Sequence, residues 1–217
     1  MGTEAAEWVV LLHGMCRTSR SMRKMAGELE AAGFRVLNFD YPSRTASVES
    51  LANTFVDRAV SECRKQGARR ISFVTHSLGG ILVRSYLSRH ELPELGRVVM
   101  LGPPNGGSEV VDRLAGLWLF GALNGPAGRE LGTGRDSTPI RLGPVTFEVG
   151  VLAGDRSINW INSGMIRGPD DGKVSVERTK VEGMSGHRVV HATHPFIMRH
   201  PEAIRLTVHF LRRGTFD

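Results

Sequence analysis

The strongest constraint on the fold is a regular alternation of short apolar runs with segments of helical periodicity. The apolar runs are rich in valine, isoleucine, leucine and phenylalanine, and they occupy residues 7–14, 34–42, 69–77, 97–104, 146–155 and 187–195. Several of them are apolar at consecutive positions, which is typical of strands that are covered on both faces of a parallel sheet. The sequence therefore predicts about six mostly parallel strands.

Helical patterns separate these strands. Apolar residues recur at helical spacing within residues 19–33, 47–66, 78–90 and 201–214. Ser47 is placed to act as an N-cap, and Gly33 and Gly214 are placed to end their helices. An alternation of strands and helices predicts an α/β fold with right-handed crossovers and helices on both faces of the sheet. The length of 217 residues fits one domain over residues 1–217.

One region, residues 105–145, interrupts this alternation of strands and helices. It is longer than a usual connection and rich in glycine and proline. Long inserts without regular structure are usually functional or mobile. Its apolar piece "LAGLWLFGAL" (114–123) is either a helix that packs on the core or a lid-like helix that caps a site.

Composition narrows the classes of function. The net charge is +6, but the basic residues are scattered and the aromatic content is only 6%. This pattern indicates a solvated basic surface rather than a nucleic-acid site, and it leaves weak contact with a membrane surface open. Two cysteines, Cys16 and Cys63, form neither a disulfide framework nor a metal-binding spacing.

No segment of the chain has the features of a targeting or membrane-spanning sequence. The amino-terminal residues have no positively charged region, and no run approaches the roughly 18 apolar residues of a membrane span. We therefore expect a cytoplasmic protein. The oligomeric state is not readable from the sequence.

The segment "VTHSLGG" (74–80) suggests a nucleophile. Ser77 falls where the third strand meets a helix, at the edge of the sheet where open α/β folds place their ligands. The nucleophile-elbow pattern is G-x-S-x-G, and Thr75 stands where its first glycine is expected. The alternative is that Ser77 only caps the helix that follows.

A serine nucleophile requires a base and an acid later in the chain. His194 ends the last predicted strand and is followed by Pro195 at the predicted catalytic edge. For the acid we favour Asp171, which opens the turn "DGKVSV", with Asp155 as the alternative and Asp170 third.

Backbone N–H groups must stabilise the oxyanion, and those of Met15 and Leu78 are the candidates. Met15 follows the first strand, and Leu78 begins the helix after Ser77. His13 and Asp40 lie at the same edge, where we expect them to brace loops.

These segments together resemble a known family. "LLHGM" (11–15), "VTHSLGG", "LGPPNGGSE" (101–109) and "DGKVSVERTKVEGMSGHRVVHATHPFIM" (171–198) are similar to the serine lipases and esterases of the α/β-hydrolase fold, in particular the small bacterial enzymes. The resemblance covers nearly the whole chain and is weakest at 110–145. It implies a minimal six-stranded core that lacks the first two strands of the full fold. In such lipases the aspartate of "DG.V" is the acid of the triad, which maps onto Asp171.

The resemblance also implies an activity. It points to hydrolysis of small carboxylic esters or acyl lipids through an acyl-enzyme on Ser77, with no metal and no organic cofactor. Two other classes remain: an acyltransferase or deacylase that acts on lipid-linked substrates, and a non-catalytic binding protein with the same fold. A plain esterase is favoured over a lipase because the chain is short and its insert is modest.

Overall fold

The computed structural model describes residues 7–114, 116, 118–158 and 160–217. The first six residues, part of the start where no targeting sequence is expected, lie outside the described residues, as do residues 115 and 117 of the apolar piece in the insert. The strands are β1 (Glu7–Leu12), β2 (Arg35–Phe39), β3 (Arg70–His76), β4 (Leu95–Leu101), β5 (Val149–Arg156) and β6 (Gly186–Thr193).

The helices follow in chain order. They are α1 (Arg23–Ala31), α2 (Val48–Leu51), α3 (Asp57–Lys65), α4 (Leu78–Leu87), α5 (Glu109–Leu114), α6 (Trp118–Arg129), α7 (Thr138–Arg141), α8 (Trp160–Ser163), α9 (Val176–Thr179) and α10 (Pro201–Arg213). Two short 3₁₀ segments cover Ser19–Met22 and Ile197–Arg199, and a π-helical segment, Ala52–Val56, joins α2 to α3.

All six strands pair in parallel, in the order β2-β1-β3-β4-β5-β6. This confirms the α/β fold class that the sequence predicts. The strand order reverses between β1 and β3, so the loops that leave these two strands flank a crevice at the carboxyl edge of the sheet. Open α/β folds bind their ligands at such a switch point.

Burial on both faces explains the runs of consecutive apolar residues. Along β1, Val10 and Leu12 pack in a core cluster on one face, and Val9 and Leu11 pack in a second cluster on the other. All four side chains are fully buried. Because side chains alternate between the faces of a strand, only a sheet covered on both sides produces this pattern.

The predicted helices are present with small differences. The predicted helix at 47–66 is continuous from Val48 to Lys65 but contains the π-helical segment, and Ser47 Oγ accepts a hydrogen bond from the Ser50 N–H, as expected of an N-cap. Gly214 ends α10 in the left-handed conformation, as predicted. Among the described residues, no helix is both long and apolar enough to cross a membrane.

The insert is more regular than the sequence suggests, because it holds α5, α6 and α7. Buried Arg84 on α4 anchors it at both ends. Its guanidinium donates to the backbone O (3.2 Å) and Oδ1 (3.1 Å) of Asn105, and to the carbonyl oxygens of Pro139 (3.2 Å) and Gly143 (2.6 Å). Burial lowers the pKa of Arg84 to about 10.

Candidate active site

Ser77 occupies a strained turn between β3 and α4. Its backbone has φ 51° and ψ −118°, and its side chain makes no capping hydrogen bond to α4. Among the described non-glycine residues, only Cys16 shares a positive φ. A non-glycine residue in this conformation costs roughly 1–3 kcal/mol and is typical of functional sites. The geometry therefore does not support the alternative in which Ser77 is only an N-cap.

The turn depends on two glycines after Ser77. A Cβ atom on Gly79 would lie 2.7 Å from the carbonyl oxygen of Leu12, so α4 can approach β1 only without a side chain there. A Cβ atom on Gly80 would lie 3.3 Å from Oγ1 of Thr75. The second glycine therefore leaves room for Thr75, which explains how the chain departs from the first position of the elbow pattern.

Three side chains from three parts of the chain meet at this turn. Oγ of Ser77 lies 3.0 Å from Nε2 of His194, and Nδ1 of His194 lies 2.7 Å from Oδ2 of Asp171. His194 and Asp171 are buried. Since an ionised carboxylate only accepts hydrogen bonds, the His194 proton sits on Nδ1, and Nε2 accepts from the serine hydroxyl.

Asp171 is held in place by backbone groups. Its Oδ1 accepts the N–H groups of Lys173 (3.0 Å) and Val174 (2.9 Å), and its carbonyl oxygen accepts the N–H of His194 (2.8 Å). These bonds compensate the burial of the carboxylate, as a buried charge requires. They also fix the carboxylate and the imidazole relative to each other.

Gly102 makes the contact between acid and imidazole possible. It has a φ of +55°, and a Cβ atom there would lie 2.9 Å from Oδ2 of Asp171 and 3.2 Å from Nδ1 of His194. We expect Gly102→Ala to lower kcat by about 100-fold, because a displacement of about 1 Å at a reacting group has an effect of that size. The measurement is steady-state hydrolysis of a p-nitrophenyl ester.

Gly67→Ala is the matched control for this variant. Gly67 also has a positive φ, +76°, but nothing lies within 4 Å of a Cβ atom built there. Both variants should lose about 1 kcal/mol of stability from backbone strain. Equal loss of activity in the two would show that strain, and not contact with Asp171 and His194, explains the effect.

The other two candidate acids lie elsewhere. Asp155 Oδ1 lies 2.8 Å from Nδ1 of His191, at the protein surface. Asp170 Oδ1 accepts the hydroxyl of Ser163 and the N–H of Gly172, which closes the turn before Asp171. The structure thus brings Asp171, and neither alternative, to His194.

The two predicted oxyanion residues flank Ser77. Met15 follows β1 and lines the cavities on both sides of Ser77, and Leu78 is the first residue of α4. The N–H groups in the first turn of a helix have no partner within the helix, so the Leu78 N–H is available to a ligand.

His13 and Asp40 hold the loops at this edge. The buried His13 ring stacks on Tyr41, with ring centroids 4.2 Å apart, and Nδ1 donates to the carbonyl oxygen of Gly14. Burial lowers the pKa of His13, which keeps the ring neutral. Asp40 accepts hydrogen bonds from the N–H and hydroxyl of Ser19. These contacts fix the loops that follow β1 and β2, which is the role the sequence predicts for the two residues.

His76 is a supporting residue that sequence reasoning missed. Its Nε2 donates to the carbonyl oxygen of His194 (2.9 Å), and its Nδ1 is buried without a partner among the described residues. Burial places the pKa of His76 well below the ordinary value, with the neighbouring His194 as a second cause. The sequence gives no sign of this contact beyond the position of His76 next to Ser77.

Two cavities meet at Ser77. One, of about 170 Å³, includes His194, Pro195 and Asn162 in its walls. The other, of about 60 Å³, is walled mostly by apolar side chains of the insert and of nearby loops, Val110, Val111, Leu131, Pro104 and Val174 among them, together with the polar residues Ser108, Asn124 and Lys173. The insert therefore forms a wall of the site. No cluster of three or more potential metal ligands occurs in the part of the chain that the structure describes.

Comparison with solved structures shows the fold. The lipase BlEst2 of Bacillus licheniformis in its mature form is 21% identical, with a TM-score of 0.80, over 97% of this chain and 94% of that one. A monoacylglycerol lipase of Paleococcus ferrophilus is 21% identical, with a TM-score of 0.64, and the match covers 95% of this chain and 94% of that one. The phospholipase PlaB of Legionella pneumophila is 18% identical, with a TM-score of 0.75, and the match covers 97% of this chain but 59% of that one.

Comparison of sequences identifies the family. No curated protein sequence matches the chain. The sequence profile of the alpha/beta hydrolase family matches residues 9–205, a span that includes every candidate residue of the site. The resemblance noted from the motifs is thereby confirmed, and the chain belongs to the alpha/beta hydrolase family.

Proposed function

We propose that the protein hydrolyses carboxylic esters through an acyl-enzyme, with Ser77 as nucleophile, His194 as base and Asp171 as acid. One observation carries the proposal: the unbroken line of hydrogen bonds from Ser77 Oγ through His194 to the buried Asp171. A serine hydroxyl is a weak nucleophile until a positioned base removes its proton, and this arrangement provides one.

The geometry supports the following mechanism. His194 Nε2 takes the proton of Ser77 as Oγ attacks the ester carbonyl, and Asp171 stabilises the resulting imidazolium. The N–H groups of Met15 and Leu78 bind the oxyanion of the tetrahedral intermediate. His194 then protonates the leaving alkoxide. A water molecule activated by the same imidazole hydrolyses the acyl-enzyme and restores Ser77.

The size of the apolar cavity favours short acyl chains. Its volume is about 60 Å³, and residues of the anchored insert form one of its walls. This supports an esterase with soluble substrates over a lipase that requires long chains.

A second candidate, action on lipid substrates at a surface, is favoured by exposed apolar side chains near the site. Trp118 is 79% exposed and Trp160 is 82% exposed. Further exposed apolar residues are Leu123 on α6, Ile161 on α8, Ile158, which lines the larger cavity, and Phe196, which follows His194 by two positions. Such a group of side chains is typical of an interaction surface. Binding to anionic vesicles that weakens as salt rises would favour a lipid-linked deacylase or acyltransferase.

Hydrolysis of p-nitrophenyl esters of graded acyl length, from acetate to palmitate, tests the proposal. We expect turnover that is greatest for short chains and declines toward palmitate. A rise of activity with chain length, above the concentration at which the ester forms aggregates, would favour the lipid candidate. A folded sample that hydrolyses none of these esters would overturn ester hydrolysis and leave the non-catalytic binding protein.

A further inference from the structure

The two cavities beside Ser77 have different roles in ester hydrolysis. The leaving alcohol must lie next to His194, because Nε2 of this residue gives it a proton. His194 lines the 170 Å³ cavity and does not line the 60 Å³ cavity. The larger cavity is therefore the alcohol side of the site, and the smaller apolar cavity is the acyl side. This assignment rests on the proposed function.

Two positive side chains face the alcohol side. Arg17, which is half-buried, and Lys173, which is exposed, both line the cavity that holds Ser77 and His194, and Lys173 also borders the smaller cavity, so that it lies where the two meet. Neither side chain forms an ion pair or a hydrogen bond with a described residue, whereas Arg64, Arg97 and Arg178 each bond a glutamate. The two unpaired cations thus share one small cavity beside the nucleophile.

No carboxylate in this cavity is free to neutralise them. Asp171 lines the same cavity but is fully buried, and its oxygens already accept from His194 and from two backbone N–H groups. Desolvation lowers the pKa of Lys173 and the charge of Arg17 adds to this effect, while Cys16 and Asp171 oppose it. Like charges that line the same cleft are stabilised when an anion binds between them.

We propose that Arg17 and Lys173 form an anion site on the alcohol side, and that the substrates are carboxylic esters of an alcohol that carries a phosphate group. A phosphate has several acceptor oxygens and more than one negative charge at neutral pH, so it can satisfy a guanidinium and an ammonium together. In the reaction, the bond between the acyl carbon and the alcohol oxygen breaks. The acyl group passes to Ser77 Oγ, the phosphorylated alcohol leaves with the proton from His194, and water then releases the acid.

The test compares two soluble esters with the same acyl chain, hexanoyl glycerol 3-phosphate and hexanoylglycerol, in the complete chain. We expect kcat/KM to be at least about tenfold higher for the phosphorylated ester, as a charge-assisted contact predicts. Arg17→Gln and Lys173→Gln, made separately, should each reduce this ratio severalfold. Inorganic phosphate should compete with hexanoylglycerol in the unmodified protein, and more weakly in both variants.

Arg213→Gln is the matched control, since it removes the same charge from the exposed end of α10. It should leave the ratio unchanged, because Arg213 lines neither cavity. An effect of net charge alone would instead lower the ratio equally in all three variants. The anion site is overturned if kcat/KM is the same for the two esters, or if the ratio falls equally in Arg17→Gln, Lys173→Gln and Arg213→Gln. If neither ester is hydrolysed, the proposed function itself fails.

The phosphate group could belong to a soluble alcohol or to a lipid headgroup, and comparing a dissolved ester with one held in vesicles distinguishes the two. The comparison is repeated with a long-chain acyl glycerol 3-phosphate in neutral vesicles. Greater activity on the soluble ester assigns a soluble phosphorylated alcohol, and greater activity on vesicles assigns a lipid headgroup. Both outcomes support the anion site if the ratio depends on Arg17 and Lys173.

Discussion

Replacement of Ser77 by glycine is expected to abolish ester hydrolysis and to raise the free energy of unfolding. Loss of the nucleophile should lower kcat by at least about 10⁴-fold. At the same time, the φ of 51° and ψ of −118° at this position suit glycine and strain serine, so the variant should gain about 1 kcal/mol of stability. Urea unfolding and steady-state hydrolysis of p-nitrophenyl acetate measure the two effects.

Ser47→Ala is the control for this prediction. Ser47 also precedes a helix, but its side chain does cap it, through the hydrogen bond from the Ser50 N–H. This variant should lose about 1 kcal/mol of stability and keep full activity. If Ser77→Gly behaved in the same way, with lower stability and intact activity, Ser77 would be a cap and not a nucleophile.

Asp171→Asn should lower kcat by about 10⁴-fold with little change in fold. The asparagine amide has the same shape, but its NH₂ group can face Nδ1 of His194. The imidazole then carries its proton on Nε2, where it points at Ser77 and cannot accept the serine proton. The rate of p-nitrophenyl acetate hydrolysis, measured with circular dichroism as a check on folding, tests this.

Asp155→Asn is the matched substitution for the acid. Asp155 bonds His191 at the surface, so its loss should leave the rate within about twofold, as is usual for surface changes. The opposite pattern, a large loss for Asp155→Asn and none for Asp171→Asn, would contradict the assignment of the acid.

Much of the fold was predictable from the sequence because burial leaves a local signature. The consecutive apolar residues of β1 reflect two core clusters on opposite faces of the sheet. The chain order of Ser77, Asp171 and His194 was also readable, since each follows a predicted strand or opens a turn at the same edge. Parallel strands place such residues together whatever their distance in sequence.

The parts that could not be predicted depend on contacts between distant segments. Nothing local to the insert shows that Arg84, far earlier in the chain, anchors it through four hydrogen bonds. Nor does the sequence show that Thr75, which departs from the elbow pattern, lies where a Cβ atom on Gly80 would come within 3.3 Å of its Oγ1. Arg17 and Lys173 are ordinary surface residues in sequence, and only the fold places both beside Ser77.

Labelling with a fluorophosphonate probe, followed by mass spectrometry, shows whether Ser77 is an activated nucleophile. The probe reacts with a serine that a neighbouring base activates, so we expect a single labelled residue, Ser77. Labelling should disappear in Ser77→Gly and after denaturation of the protein. An unlabelled folded protein, or a label on another serine of the site such as Ser108, would contradict the account.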